Sequence, residues 1–113
     1  MPEKTAFLVT TDTIGERGDL GRILMKGFLA TLAQAGRPPE RMIFLNRGVQ
    51  LTTEDEECAE ALGALEQLGV ELLSCGTCLD YFGLKDRLRI GRATTMRDTV
   101  AALCEGFRVV TIA

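Results

Sequence analysis

Cys75 and Cys78, in the stretch "SCGTCLDYFG" at residues 74–83, are the pair of side chains in this chain with the most chemistry available to them. A C-x-x-C pair can ligate a metal, exchange electrons as a dithiol, carry sulfur as a persulfide, or pack as two small hydrophobes. Its surroundings favour a reactive role. Ser74, Gly76 and Thr77 are small enough to let a substrate reach the sulfur. The turn that follows offers backbone N–H groups that stabilise a thiolate, the reactive form. Lys85, Arg87 and Arg89 come shortly afterwards, and Arg47 ends a neighbouring predicted strand, so positive charge near the sulfur is expected.

The other two cysteines do not extend the pair into a larger site. Cys58 and Cys104 each fall on the apolar face of a predicted helix, where a free cysteine acts as a small buried hydrophobe. The chain contains no histidine, which excludes Ser-His and Cys-His catalysis and removes the commonest nitrogen ligand for metals. A structural zinc site takes four ligands, commonly from two C-x-x-C knuckles, so one knuckle without histidine predicts no metal site within a single chain. A thioredoxin-like role is opposed by position. The pair follows the third predicted strand, and the prolines are Pro2, Pro38 and Pro39, so none lies downstream to face the motif.

The 113 residues are the size of one domain, expected to span 1–113. Hydrophobic content of 46% with 26% charged residues is that of a folded globular chain. A formal net charge of -3, with acids interspersed among the bases, argues against a nucleic-acid partner. Apolar runs such as "AFLV" and "VVTIA" fall far short of the roughly twenty residues that cross a bilayer, so no membrane partner is expected. The start "MPEKTAFLVTTD" lacks the features of a signal peptide. The expected location is the cytoplasm, with reduced thiols.

The elements that must position the cysteines follow from periodicity. "TAFLVT" reads as a first strand and "TDTIGERGDLG" as the loop after it. A first helix starts with Asp19 as N-cap, presents Leu20, Ile23, Leu24, Gly27, Phe28 and Leu32 on one face, and stops at Gly36 before Pro38 and Pro39. "RMIFLN" is a second strand, and a second helix capped by Thr53 carries Cys58, Ala61, Leu62, Leu65 and Leu68. "VELLSC" is a third strand, followed by a short helical segment. "RIGRATTMRDTVAALCEG" holds a helix with Met96, Val100, Leu103, Cys104 and Phe107 on one face, and "RVVTIA" closes as a strand.

Strands alternating with helices predict an α/β fold with a mainly parallel sheet covered on both faces. Ligands of such sheets bind at the carboxyl ends of the strands, here Asp12, Asn46 with Arg47, and Cys75 with Gly76. Gly15, Gly18 and Gly21 form G-x-x-G-x-x-G rather than G-x-G-x-x-G, and Asn46 stands where a ribose-binding acid would end the second strand. A flexible bordering loop is expected there, and no cofactor.

Taken together, "TTDTIGERGDLGRILMKGFLATL", "MIFLNRGVQLT", "SCGTCLDYFGL" and "RVVTIA", in that order, resemble the DsrE/DsrF-like sulfur-relay family across essentially the whole chain. The likeness is greatest to the C-terminal domain of YedF-like selenium-metabolism proteins. The resemblance implies a three-layer α/β/α sandwich with four or five strands, assembled as homo-oligomers such as trimers or hexamers, or as hetero-oligomers. It implies a sulfurtransferase-like relay in which one cysteine accepts sulfane sulfur as a persulfide and passes it to a partner. The relay cysteine of related proteins ends this strand, at the distance from a helix-closing glycine that separates Cys75 from Gly83. Cys75 is therefore the expected carrier and Cys78 the second thiol. YedF-like proteins carry an N-terminal TusA-type domain that these 113 residues do not include, leaving open an excised domain or a chain that stands alone. A stand-alone chain would draw sulfur from a TusA-like protein or a cysteine desulfurase. A non-catalytic interaction subunit and a dithiol oxidoreductase remain the alternatives.

Overall fold

The computed structural model describes residues 4–113, in which the short apolar runs become strands and the periodic stretches become helices. Strands β1 (Thr5–Val9), β2 (Arg41–Phe44), β3 (Glu71–Cys75), β4 (Arg92–Thr94) and β5 (Arg108–Thr111) pair in parallel in the order β4-β3-β2-β1-β5. They are joined by helices α1 (Asp19–Gln34), α2 (Glu56–Gln67), α3 (Gly76–Tyr81) and α4 (Met96–Cys104), with 3-10 helices at Asn46–Thr52 and Lys85–Arg87.

Handedness explains the layers. The steps from β1 to β2 and from β2 to β3 run the same way across the sheet, so right-handed crossovers put α1 and α2 on one face, where they pack against each other. The step from β4 back to β5 runs the other way and sends α4 to the opposite face. The result is the three-layer α/β/α fold expected from sequence, with five strands, all parallel.

Side chains alternate accordingly. Val9, Met42, Phe44 and Leu72 face α1 and α2, packing with Met25, Leu29, Leu62 and Leu65. Each fully buried large apolar side chain here contributes about 1.5–3 kcal/mol. On the other face Leu8, Ile43 and Leu73, neighbours in register, meet Ala102 and Leu103 of α4.

Several local expectations are corrected. Residues Arg92–Thr94 form the edge strand β4 inside a stretch read as helical; Thr95 then caps α4 by accepting the Asp98 N–H at 3.0 Å. The chain reaches that strand through Gly91 at φ 71, packed so closely on the Leu72 carbonyl that no side chain fits. Asp55, not Thr53, caps α2, accepting the Cys58 N–H at 3.0 Å. Helix α4 is rotated from its expected face: Thr99 and Ala102 are buried, Met96 and Val100 are each 52% exposed, and Cys104 is exposed. Small Thr99 and Ala102 let the helix sit close to the sheet, and the larger stripe turns outward. In α1 the buried residues are Gly21, Met25 and Leu29, while Leu20, Ile23 and Leu24 face out.

The 3-10 helix after β2 is tied to the end of β1. The Leu45 N–H donates to the Val9 carbonyl at 2.9 Å, and Gly48 sits against that carbonyl with no room for a Cβ. Gly48→Ala is expected to lower the unfolding free energy by about 1–3 kcal/mol, as overpacking does. Urea denaturation checks this, and an unchanged midpoint would contradict it.

Candidate functional site: a thiol pair at the end of β3

Because β2 and β3 pair in register, with Phe44 beside Ser74, their carboxyl ends are neighbours. Asn46 lies just beyond one and Cys75 ends the other. Cys75 is the N-cap of α3, with extended backbone (φ -62, ψ 122), and Gly76, Thr77 and Cys78 form the first turn. N-cap and third helical positions face each other across that turn, which brings the two thiols together. Gly76 suits its place, since a Cβ there would stand 3.3 Å from the Thr94 carbonyl of β4.

The two sulfurs differ in environment. Cys75 is 1% exposed and belongs to the main core, whereas Cys78 is half-buried and opens into a groove of about 420 Å³ lined by Asn46, Arg47, Thr77, Cys78, Tyr81 and Phe82. The backbone N–H of Asn46 donates to Cys78 Sγ at 3.1 Å. Burial pushes the Cys78 thiol above its ordinary value, the Asn46 N–H pulls it back, and the adjoining Cys75 adds to the rise. Both cysteines are free.

Of the residues singled out from sequence, Asn46, Arg47 and Cys78 meet in the groove, with Cys75 and Gly76 behind them. Asp12 follows β1 and is not in the lining; its Oδ1 accepts the Thr11 hydroxyl at 3.4 Å. Thr77, expected beside the sulfur, lines the groove too. Tyr81 and Phe82 are additions, and their signal is helical spacing, because residues three and four beyond Cys78 share its face. Tyr81 and Phe82 meet edge to face with centroids 5.2 Å apart.

The expected cluster of cations at the sulfur is corrected. Lys85 pairs with Asp80 at 3.5 Å, and Arg89 binds Glu56 at 3.1 Å and the Thr53 carbonyl at 2.7 Å. Arg87 lines a separate polar cleft with Thr53 and Asp86. Arg47 alone of the four reaches the groove, and among the described residues it is in no ion pair. Cys58 is buried as expected, its thiol pushed up to about 12 by burial and by nearby Asp55. Among the described residues no three His, Cys, Asp or Glu side chains gather as metal ligands.

Fold and thiol corner together define a three-layer α/β/α protein with an all-parallel sheet and a C-x-x-C pair at the carboxyl end of β3. Two solved structures share the architecture. The ychN protein from E. coli superposes with a TM-score of 0.71 at 15% identity, covering 96% of this chain and 98% of that one. The protein of unknown function MTH1491 from Methanobacterium thermoautotrophicum superposes at 0.70 with 19% identity, covering 97% and 99%. No protein-family model matches the chain, and no curated protein matches it.

The burial difference orders the thiols by reactivity. With timed iodoacetamide and peptide-resolved mass spectrometry, Cys78 and Cys104 are expected to label in the native protein. Cys75 should label roughly tenfold or more slowly, since it reacts through local opening. Because the Cys78 thiol holds its proton past the ordinary value of 9.0, its rate should keep climbing above that pH. Equal labelling of Cys75 and Cys78 would contradict the geometry.

Proposed function

We propose that the chain is a sulfur or selenium carrier that accepts sulfane sulfur as a cysteine persulfide on the Cys75/Cys78 pair and passes it to a partner. The observation that carries this reading is the juxtaposition of two free thiols at the N-cap and first turn of α3, one in the core and one facing a groove. The sequence points to Cys75 as the carrier. Because Cys75 is buried and the groove leads a donor to Cys78, the roles are reversed, with Cys78 receiving first and Cys75 as the second thiol; a receiving Cys75 would require the α3 corner to open.

In the first step the Cys78 thiolate attacks the outer sulfur of a donor persulfide R-S-SH. The bond within the donor breaks, R-S⁻ leaves with the electron pair and takes up a proton, and Cys78-S-SH remains. An acceptor thiolate can take the outer sulfur by the same reaction. Alternatively Cys75 loses its proton and attacks the inner sulfur of Cys78, expelling HS⁻ and closing a Cys75-Cys78 disulfide. The sulfane sulfur is thereby reduced to sulfide, the two thiols are oxidised, and a dithiol reductant restores them.

The donor is a TusA-like protein or a cysteine desulfurase, and the chain works as a homo-oligomer, trimer or hexamer. Outward-facing Leu20, Ile23 and Leu24 on α1 and Met96 and Val100 on α4 support self-association. The same exposed residues favour a second reading, a non-catalytic interaction subunit.

Incubation with a cysteine desulfurase and cysteine, followed by mass spectrometry, separates these readings. The wild-type chain is expected to gain one sulfur atom on Cys78, Cys78→Ser none, and Cys75→Ser one that is not released as sulfide. Sulfur gained by Cys78→Ser but not by Cys75→Ser assigns the receiving role to Cys75. No gain in any protein leaves the interaction subunit.

A further inference from the structure

Among the described residues, Asn46 is the one non-glycine residue with positive φ, at 51°. Left-handed backbone crowds a Cβ against the following carbonyl, so an L-residue kept there is held by its neighbours, and such residues cluster at functional sites. The neighbours here are firm on both sides. Leu45 donates its N–H to Val9 at 2.9 Å, the Gly48 N–H donates back to the Leu45 carbonyl at 2.9 Å, and Val49 and Leu51 are fully buried.

What the conformation achieves is visible at the sulfur. Extended Leu45 (ψ 159) points the Asn46 N–H at Cys78 Sγ, 3.1 Å away and 32 residues distant in sequence, and the left-handed φ of Asn46 lets the chain turn at once into the 3-10 helix while that N–H stays on the sulfur. The side chain of Asn46 is exposed and makes no hydrogen bond among the described residues, so it takes no visible part in the contact. Asparagine tolerates left-handed backbone better than most residues, which accounts for its presence.

We propose that Asn46 is a positioning residue for Cys78, its left-handed backbone holding a main-chain N–H on the sulfur and stabilising the thiolate that attacks. The proposal rests on Cys78 being the receiving thiol of the carrier. A neutral N–H contacts the sulfur directly, whereas Lys85 and Arg89 are paired elsewhere. A hydrogen bond to a charged acceptor is stronger than one to a neutral thiol, so the contact favours ionisation.

The test reads the pH profile of Cys78 alkylation by iodoacetamide, resolved by peptide, with exposed Cys104 as internal control. Asn46→Gly keeps both the N–H and the left-handed backbone, and its profile should overlay the wild type. Asn46→Val, whose β-branch disfavours φ above zero, should shift the profile to higher pH. Its Cys78 rate at neutral pH should fall on the order of tenfold, with Cys104 unchanged. Asn46→Ala carries a milder backbone penalty, should give an intermediate shift, and stands in if the Val variant does not fold. A Val profile that overlays the wild type, an Ala profile that does so where Val is unfolded, or a Gly profile displaced as far as Val, overturns the proposal. Alkylation needs no sulfur donor. A chain that takes up no sulfur yet behaves as expected here loses the carrier reading and keeps the role of Asn46.

Discussion

The Val9 carbonyl at the end of β1 anchors the site from two strands away. It accepts the Leu45 N–H and has Gly48 pressed against it, and that double contact settles how the chain leaves β2. The left-handed turn at Asn46 costs about 1–2 kcal/mol. Burial of Val49 and Leu51 returns about 1.5–3 kcal/mol each, and the backbone hydrogen bonds on either side about 0.5–1.5 kcal/mol each. These contacts oppose the cost of the turn while its own N–H faces a sulfur. Buried Thr52 ties the same segment to β3 through a 2.8 Å hydrogen bond with Ser74, one residue before Cys75.

At the thiols two opposing effects are built into one place. Partial burial favours the protonated sulfur, and a main-chain donor favours the ionised one. Burial is the larger, so the balance favours the thiol at Cys78. Cys75, behind it in the core, is shielded from bulk reagents yet adjacent to its partner. The arrangement suits a sulfur that is received from outside and acted on from within.

The sheet's reversal of strand order falls between β1 and β5, where the Thr10 hydroxyl donates to the Ala113 carbonyl at 2.9 Å. Parallel sheets commonly bind ligands at such a reversal. Here the thiols stand two strands away, beside β2. The site arises from the strand-to-helix corner of β3 and the 3-10 helix of β2 rather than from a crevice between diverging crossovers.

Much was legible in residue order. The alternation of short apolar runs with periodic stretches predicted the parallel sheet, and the C-x-x-C spacing placed its cysteines at a strand end. Periodicity failed where a helix has two apolar faces. In α4, Met96, Val100 and Cys104 spell a core stripe, yet small Thr99 and Ala102 allow the closer approach and take the buried side. The strand Arg92–Thr94 was invisible because three polar or small residues at a sheet edge carry no hydrophobic pattern. Sequence alone determined which residues could do chemistry and at which end of the sheet they would stand, since those follow from side-chain type and local period. Tertiary structure alone decided which sulfur faces outward, which cation shares its groove, and that a main-chain N–H meets it. Those depend on contacts between residues dozens of positions apart, which no local pattern encodes.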